Sequence, residues 1–176
     1  MSYPGGLVVS LEAMNRVLDI DVENRLADVE PGVITSDLDE HARKHGLFFA
    51  PDPASVHLST VGGNIATDAG GLRCIAHGTT EASVAALEVV LADGSIIHTG
   101  ARTIKNATGL NMTPLFVGSE GTLGVITRAT VRLKPVPEGT PRTFCASFDT
   151  IEAAGRAVTC LLYTSPSPRD SQKSRM

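Results

Sequence analysis

The stretch from Ala50 to Gly71, APDPASVHLSTVGGNIATDAGG, constrains this chain more than any other. It opens in a rigid Pro51-Asp52-Pro53 turn, passes through Gly62-Gly63-Asn64 and closes on Gly70-Gly71. Small residues recur, with Ala66, Thr67 and Ala69 filling the space before the second glycine pair. Backbone without a Cβ approaches a flat or charged group closely. Consecutive N–H groups there can hold a phosphate with no lysine. A loop that turns tightly for packing reasons has the same composition, so the glycines alone leave both readings open.

A chain of 176 residues with 42% hydrophobic content is long enough for one domain with its own core. Trp is absent and aromatics are few, so that core is built from Val, Leu, Ile and Ala. The formal charge is −4, with no basic run before residue 160, which argues against a nucleic-acid backbone as partner. Cys74, Cys145 and Cys160 make an odd count without metal-ligand spacing, as in a reduced, cytoplasmic-type protein. His41, His45, His57, His77 and His98 are scattered and form no metal signature. No signal-peptide pattern follows Met1, and no apolar run is long enough to span a bilayer. The expectation is a cytoplasmic protein, peripheral to a membrane at most through a partner.

In chain order, Leu7 to Ser10 reads as a short strand. Val17–Asp21 and Leu26–Glu30 alternate as a hairpin, ended by Pro31-Gly32. Ser36 with Asp39 predicts a capped helix with Leu38, Ala42 and His45 inward and Gly46 beyond its end. Asp93-Gly94 predicts a hairpin between Ala85–Ala92 and Ser95–Thr99. A polar loop, Ala101–Leu110, leads to a helix start at Asn111, Thr113 and Pro114, with Leu115, Phe116 and Val117 as its buried turn. Thr122–Lys134 alternates as a strand, Pro135 and Pro137 mark a boundary, and Phe144–Phe148 with Thr150–Cys160 reads as a strand and helix. Hairpins with brief helices predict an α+β fold rather than a repeated strand–helix sheet. No GxGxxG follows a strand, so a bound dinucleotide needs another cradle. Both ends read as unnatural: Met1 leads almost directly into a strand, and Leu161–Met176 turns abruptly to Ser, Pro and basic residues. That tail resembles translated adapter read-through, and no function is read from its charges.

Three motifs stand in order: STVGGNIATDAGG ending at Gly71, CIAHGTT from Cys74 to Thr80, and GSEGTLGVIT from Gly118 to Thr127. In these the chain resembles the FAD-linked oxidases of the vanillyl-alcohol oxidase superfamily, in the branch of the glycolate oxidase FAD subunits and D-lactate dehydrogenases. The resemblance runs from Gly5 to about Val158. It implies a PCMH-type FAD-binding domain over 1–135 with an antiparallel or mixed sheet and short flanking helices. It also implies the start of a cap domain over 136–160 and a non-native tail over 161–176. It places Gly62, Gly63 and Asn64 beside the FAD pyrophosphate and isoalloxazine, flanked by Pro51, Asp52 and Thr60. Gly70, Gly71, Gly78 and Thr79 form a second wall. Glu120, Gly121, Gly124, Val125 and Ile126 close on the adenine, ribose and pyrophosphate, with Glu120 orienting its loop because like charges repel. His77 stands where many relatives have Tyr, and Asp68 where they often have Asn.

The activity implied is oxidation of a D-2-hydroxy acid, glycolate or D-lactate, to the 2-oxo acid by hydride transfer to flavin N5. Oxygen, a quinone or an iron–sulfur partner would reoxidise the flavin. The family carries its substrate-side histidine and metal in the cap, so no residue here is expected to be catalytic or to bind metal. A first pyrophosphate loop is expected ahead of Gly5, so this stretch alone would bind FAD weakly. Two alternatives stand beside this reading: an FAD oxidase of the same fold acting on another alcohol, a sugar or an aryl ether, and a nonenzymatic binding or assembly module.

Overall fold

The computed structural model describes residues 5–139, 143 and 145–164. In the unit that ends at Val136, the strands are β1 (Val17–Asp21), β2 (Leu26–Val29), β3 (Leu47–Phe48), β4 (Val84–Val90), β5 (Ile96–Gly100), β6 (Val125–Arg132) and β7 (Lys134–Pro135). Five of them form one sheet in the order β1-β2-β6-β4-β5, with every neighbouring pair antiparallel. The β1–β2 hairpin turns where the Asp21 carboxylate accepts from the Asn24 backbone at 2.9 Å and from its side-chain amide at 2.8 Å. The β4–β5 turn forms at Asp93-Gly94, where Asp93 Oδ1 accepts from Ser95 N at 2.9 Å and Ser95 Oγ at 2.6 Å. The two predicted hairpins therefore exist, and β6, far off in sequence, is the strand that joins them.

Period-two alternation explains why β6 takes the middle. Ala129 and Val131 are fully buried and belong to one cluster with Val29, Leu38, Ile65 and Val89. Arg128, Thr130 and Arg132 alternate with them and take the other face of the sheet. On that face the buried Asp28 carboxylate accepts from Thr130 Oγ1 at 2.6 Å, Arg102 Nη1 at 2.7 Å and Arg128 Nη2 at 2.8 Å. Burial pushes the Asp28 pKa up, but the bonds from Thr130, Arg102 and Arg128 outweigh it and hold the carboxyl below its ordinary value.

Helix α1 (Thr35–Arg43) corrects the predicted capping box. Its N-cap is Ile34, with no side-chain cap. The first-turn donors are met from a distant loop instead, Thr35 N by Ser59 O at 2.9 Å and Ser36 N by Val56 O at 3.1 Å. Asp39 turns away to accept from Phe49 N at 3.0 Å and Arg43 Nε at 2.7 Å. His45 lies past the helix end and is exposed, so the inner face is Leu38 and Ala42 with buried Thr35.

Other local expectations also change. Leu7–Ser10 pairs with no strand among the described residues, and Leu7, Val8 and Val9 are exposed, because a strand needs a ladder partner as well as apolar side chains. In α4 (Thr113–Phe116), Phe116 is buried but Leu115 is exposed. One turn of helix turns only one side to a core. From Pro137 onward a second compact unit holds α5 (Ile151–Thr164) among its described residues. The helix continues past Cys160, where the sequence suggested a break. Residues 145–148 form no strand, and position 144 and residues 165–176 lie outside the described residues.

Candidate functional site

The central glycine stretch becomes α2 (Val61–Thr67), capped by Thr60, whose Oγ1 accepts from Gly63 N at 3.1 Å. The other first-turn donors also have acceptors within the chain. Val61 N donates to Val33 O at 2.8 Å, Gly62 N to Pro31 O at 2.8 Å and Asn64 N to Thr60 O at 2.9 Å. Gly62 is buried against the Pro31-Gly32 turn, whereas Gly63, its neighbour, is exposed. Asn64 is buried as well, and its Nδ2 donates to Thr35 Oγ1 at 2.7 Å, which in turn donates to Ser59 O at 2.9 Å. This relay joins α1, α2 and the 55–59 turn. Asn64→Ala is expected to cost about 1–2 kcal/mol, read as a lower urea midpoint with unchanged slope, because it removes a hydrogen bond to a buried hydroxyl.

The three motifs, the third some forty residues beyond the second, meet around the C-terminal end of α2. Gly118 N donates to Ile65 O at 2.9 Å and Glu120 N to Ala66 O at 2.8 Å, which docks the third motif. Thr80 of the second motif donates to Ala69 O through its N at 3.1 Å and its Oγ1 at 2.7 Å. Asp68, in the left-handed region with φ 46°, ends the helix and accepts from Glu81 N at 2.9 Å. The Asp52 carboxylate accepts from Arg73 N at 3.0 Å and lies 3.5 Å from Arg73 Nε. Between them a Cβ on Gly71 would stand 2.1 Å from Asp52 O, so only glycine fits that crossing. Cys74 Sγ accepts from Gly71 N at 2.9 Å, which folds the 70–74 loop onto itself at the start of the one-turn helix α3 (Cys74–His77).

The predicted contacts thus divide by access. Gly63, Gly70, Glu120, Gly121 and Val125 are exposed, while Asp52, Thr60, Gly71, Gly78, Thr79 and Gly124 are half-buried. Pro51, Gly62, Asn64 and Ile126 are buried. A Cβ on Gly124 would meet Val89 Cγ1 at 2.6 Å, so this glycine lets the third motif lie against β4. The N–H groups of Gly70 and Thr79 donate to no acceptor among the described residues, unlike those at the start of α2. Glu120 is exposed, and its backbone rather than its carboxylate ties the loop to α2.

One cluster was not foreseen. Phe48 packs edge-on to His77 with ring centroids 5.5 Å apart, and the Arg73 guanidinium lies 5.9 Å from the Phe48 ring centroid. Lys134 Nζ stands 3.1 Å from His77 Nδ1. The β3–β7 pairing of Phe48 with Lys134 brings these groups together, and nothing local in the sequence announces that pairing. Two depressions of about 310 Å³ and 270 Å³ lie elsewhere, both bordered by Thr99 to Ala101, and neither is lined by a residue of the three motifs. Among the described residues no cluster of His, Cys, Asp or Glu is placed to hold a metal, and no helix is long and apolar enough to cross a membrane.

Residues 1–100 match the model of a family described as FAD binding domain. The chain is 49% identical over 158 residues to the glycolate oxidase subunit GlcD of Bacillus subtilis, covering 90% of this chain and 33% of that protein. It is 51% identical over 130 residues to a D-lactate dehydrogenase of Archaeoglobus fulgidus, covering 74% and 29%. Among solved structures, an alkyldihydroxyacetonephosphate synthase superposes with a TM-score of 0.63 at 30% identity, over 73% of this chain and 23% of that one. The chain spans about a third of the length of these curated relatives.

Proposed function

This chain belongs to the FAD binding domain family, and from that premise we propose that it forms part of the FAD cradle of a D-2-hydroxy-acid oxidoreductase. FAD is the cofactor, and the family's relatives are FAD-linked oxidoreductases. The observation that carries the reading is the convergence of three glycine-bearing motifs on one end of α2 through the bonds of Gly118, Glu120 and Thr80. The residues suit an elongated, anionic, partly flat group. Gly63, Gly70 and Gly121 leave backbone open to approach, and the Gly70 and Thr79 N–H groups are free to donate to it. Gly62 and Asn64 act one step back, by fixing α2 against α1 and the Pro31 turn. Asp52 holds the Arg73 backbone and so sets the course of the 70–74 loop.

Bound FAD supplies the hydride acceptor at N5, and the protein's part is to place it and exclude water. Glycolate and D-lactate are the favoured substrates because two relatives with about half their residues identical carry glycolate oxidase and D-lactate dehydrogenase names. An electron-accepting partner subunit fits the subunit name of one of them. Anaerobic mixing of a protein of the relatives' full length with D-lactate and with glycolate is expected to bleach its flavin absorbance. No bleaching by any D-2-hydroxy acid rejects the substrate class.

A further inference from the structure

At the end of β6 away from Gly124, Arg132 is half-buried and lines the 310 Å³ depression under the 101–112 loop. Its Nη1 donates to the Val84 carbonyl, and it forms no ion pair among the described residues. The nearby arginines have carboxylate partners, since Arg102 and Arg128 both pair with Asp28 and Arg102 also lies 3.5 Å from Asp21. No Asp or Glu lines the depression. Its polar lining includes His98, Thr103, Asn106, Thr108 and Asn111, and its apolar lining includes Ile104, Leu110 and Met112. Burial lowers the Arg132 pKa, as expected for a cation partly removed from water without a counter-charge.

A guanidinium taken out of water is costly unless an anion compensates it. With Nη1 committed to Val84, the side-on edge made by Nε and Nη2 has no acceptor among the described residues, and that edge matches a carboxylate as a two-pronged fork. We propose that this depression is a binding site for a small organic carboxylate, its head on Arg132 and its apolar body against Leu110 and Met112. A carboxylate suits the site better than a phosphate dianion because one cation neutralises it and part of the wall is apolar. The site is independent of the flavin reading, since it uses no residue of the three motifs.

The test is NMR titration of the full chain with sodium butyrate, following the Arg132 Nε–H resonance and the Gly100 and Gly109 amides. A saturable shift is expected with butyrate and not with neutral butyramide, and Arg132→Gln is expected to weaken binding about tenfold or more. Because Arg132→Gln also removes the bond to Val84, Leu110→Asp gives a second arm. Leu110 is 87% exposed, so this change leaves the fold intact, and placing a negative charge in the wall is expected to weaken butyrate to a similar degree. Equal response to butyramide, unchanged butyrate binding in either variant, or inorganic phosphate competing as strongly as butyrate overturns the proposal. None of these readouts involves flavin, so failure here and failure of the oxidoreductase reading are separate results.

Discussion

Gly62→Ala is expected to destabilise the protein by about 2–3 kcal/mol, while Gly63→Ala leaves stability within about 1 kcal/mol of the parent sequence. Two adjacent glycines of one helix therefore answer oppositely. A Cβ on Gly62 would stand 2.4 Å from Pro31 Cβ and 2.9 Å from Pro31 O, the oxygen that accepts from Gly62 N. Neither neighbour is the free end of a flexible side chain, so α2 must shift away from the Pro31 turn. Overpacking of this kind costs roughly 1–3 kcal/mol, and loss of the 2.8 Å bond adds to it. The gain of about 1 kcal/mol in helix propensity offsets only part.

At Gly63 the nearest atom to an added Cβ is Thr60 Oγ1 at 3.1 Å, and the position is exposed. Propensity and a small adjustment of the cap then nearly cancel. If Gly63 lies against the cofactor, its methyl group instead weakens FAD binding by about tenfold or more in a protein of the relatives' length. Urea unfolding and flavin-fluorescence titration of the two variants separate the packing glycine from the binding one. Equal stability loss in both would contradict the division of roles argued above.

Asp28→Ala is the second large effect, about 2–3 kcal/mol. It strips three hydrogen bonds from the outer face of the sheet, leaves Arg128 and the buried Thr130 hydroxyl without that acceptor, and leaves Arg102 only its 3.5 Å contact with Asp21. Breaking a fully buried ion pair costs about 3–5 kcal/mol, but Arg102 and Arg128 are each nearly half exposed and water takes over part of the role. The same carboxylate sets a pH dependence. The folded pKa of Asp28 lies below its ordinary 3.8, so the stability it contributes is present above that value and is lost as pH falls through the folded pKa. Glu30, held down chiefly by the side-chain bond from Arg16, and Asp21, held down chiefly by the backbone of Asn24, act in the same direction. Stability is therefore expected to fall below about pH 4.5, and more shallowly in Asp28→Ala. Urea midpoints measured between pH 7 and pH 3 test this, and parallel curves for the two proteins would remove Asp28 from the account.

The hairpins at Asp21–Asn24 and Asp93–Ser95 were legible in the sequence because turn chemistry acts between residues two or three apart. The α+β class followed from those hairpins, and FAD followed from three motifs whose order survives in any arrangement of the chain. Four features were settled only in the folded chain. β6 sits between β2 and β4 because both faces of its alternation are satisfied there at once. The donors of α1 are met by Ser59 and Val56 rather than by the nearby Ser36 and Asp39. Asp28 collects Arg102 and Arg128 from 74 and 100 residues away. Of two glycines that read alike, one is buried against Pro31 and the other faces outward. Each of these depends on which distant surface a residue meets, and neither spacing nor composition encodes that meeting until the core has closed around it.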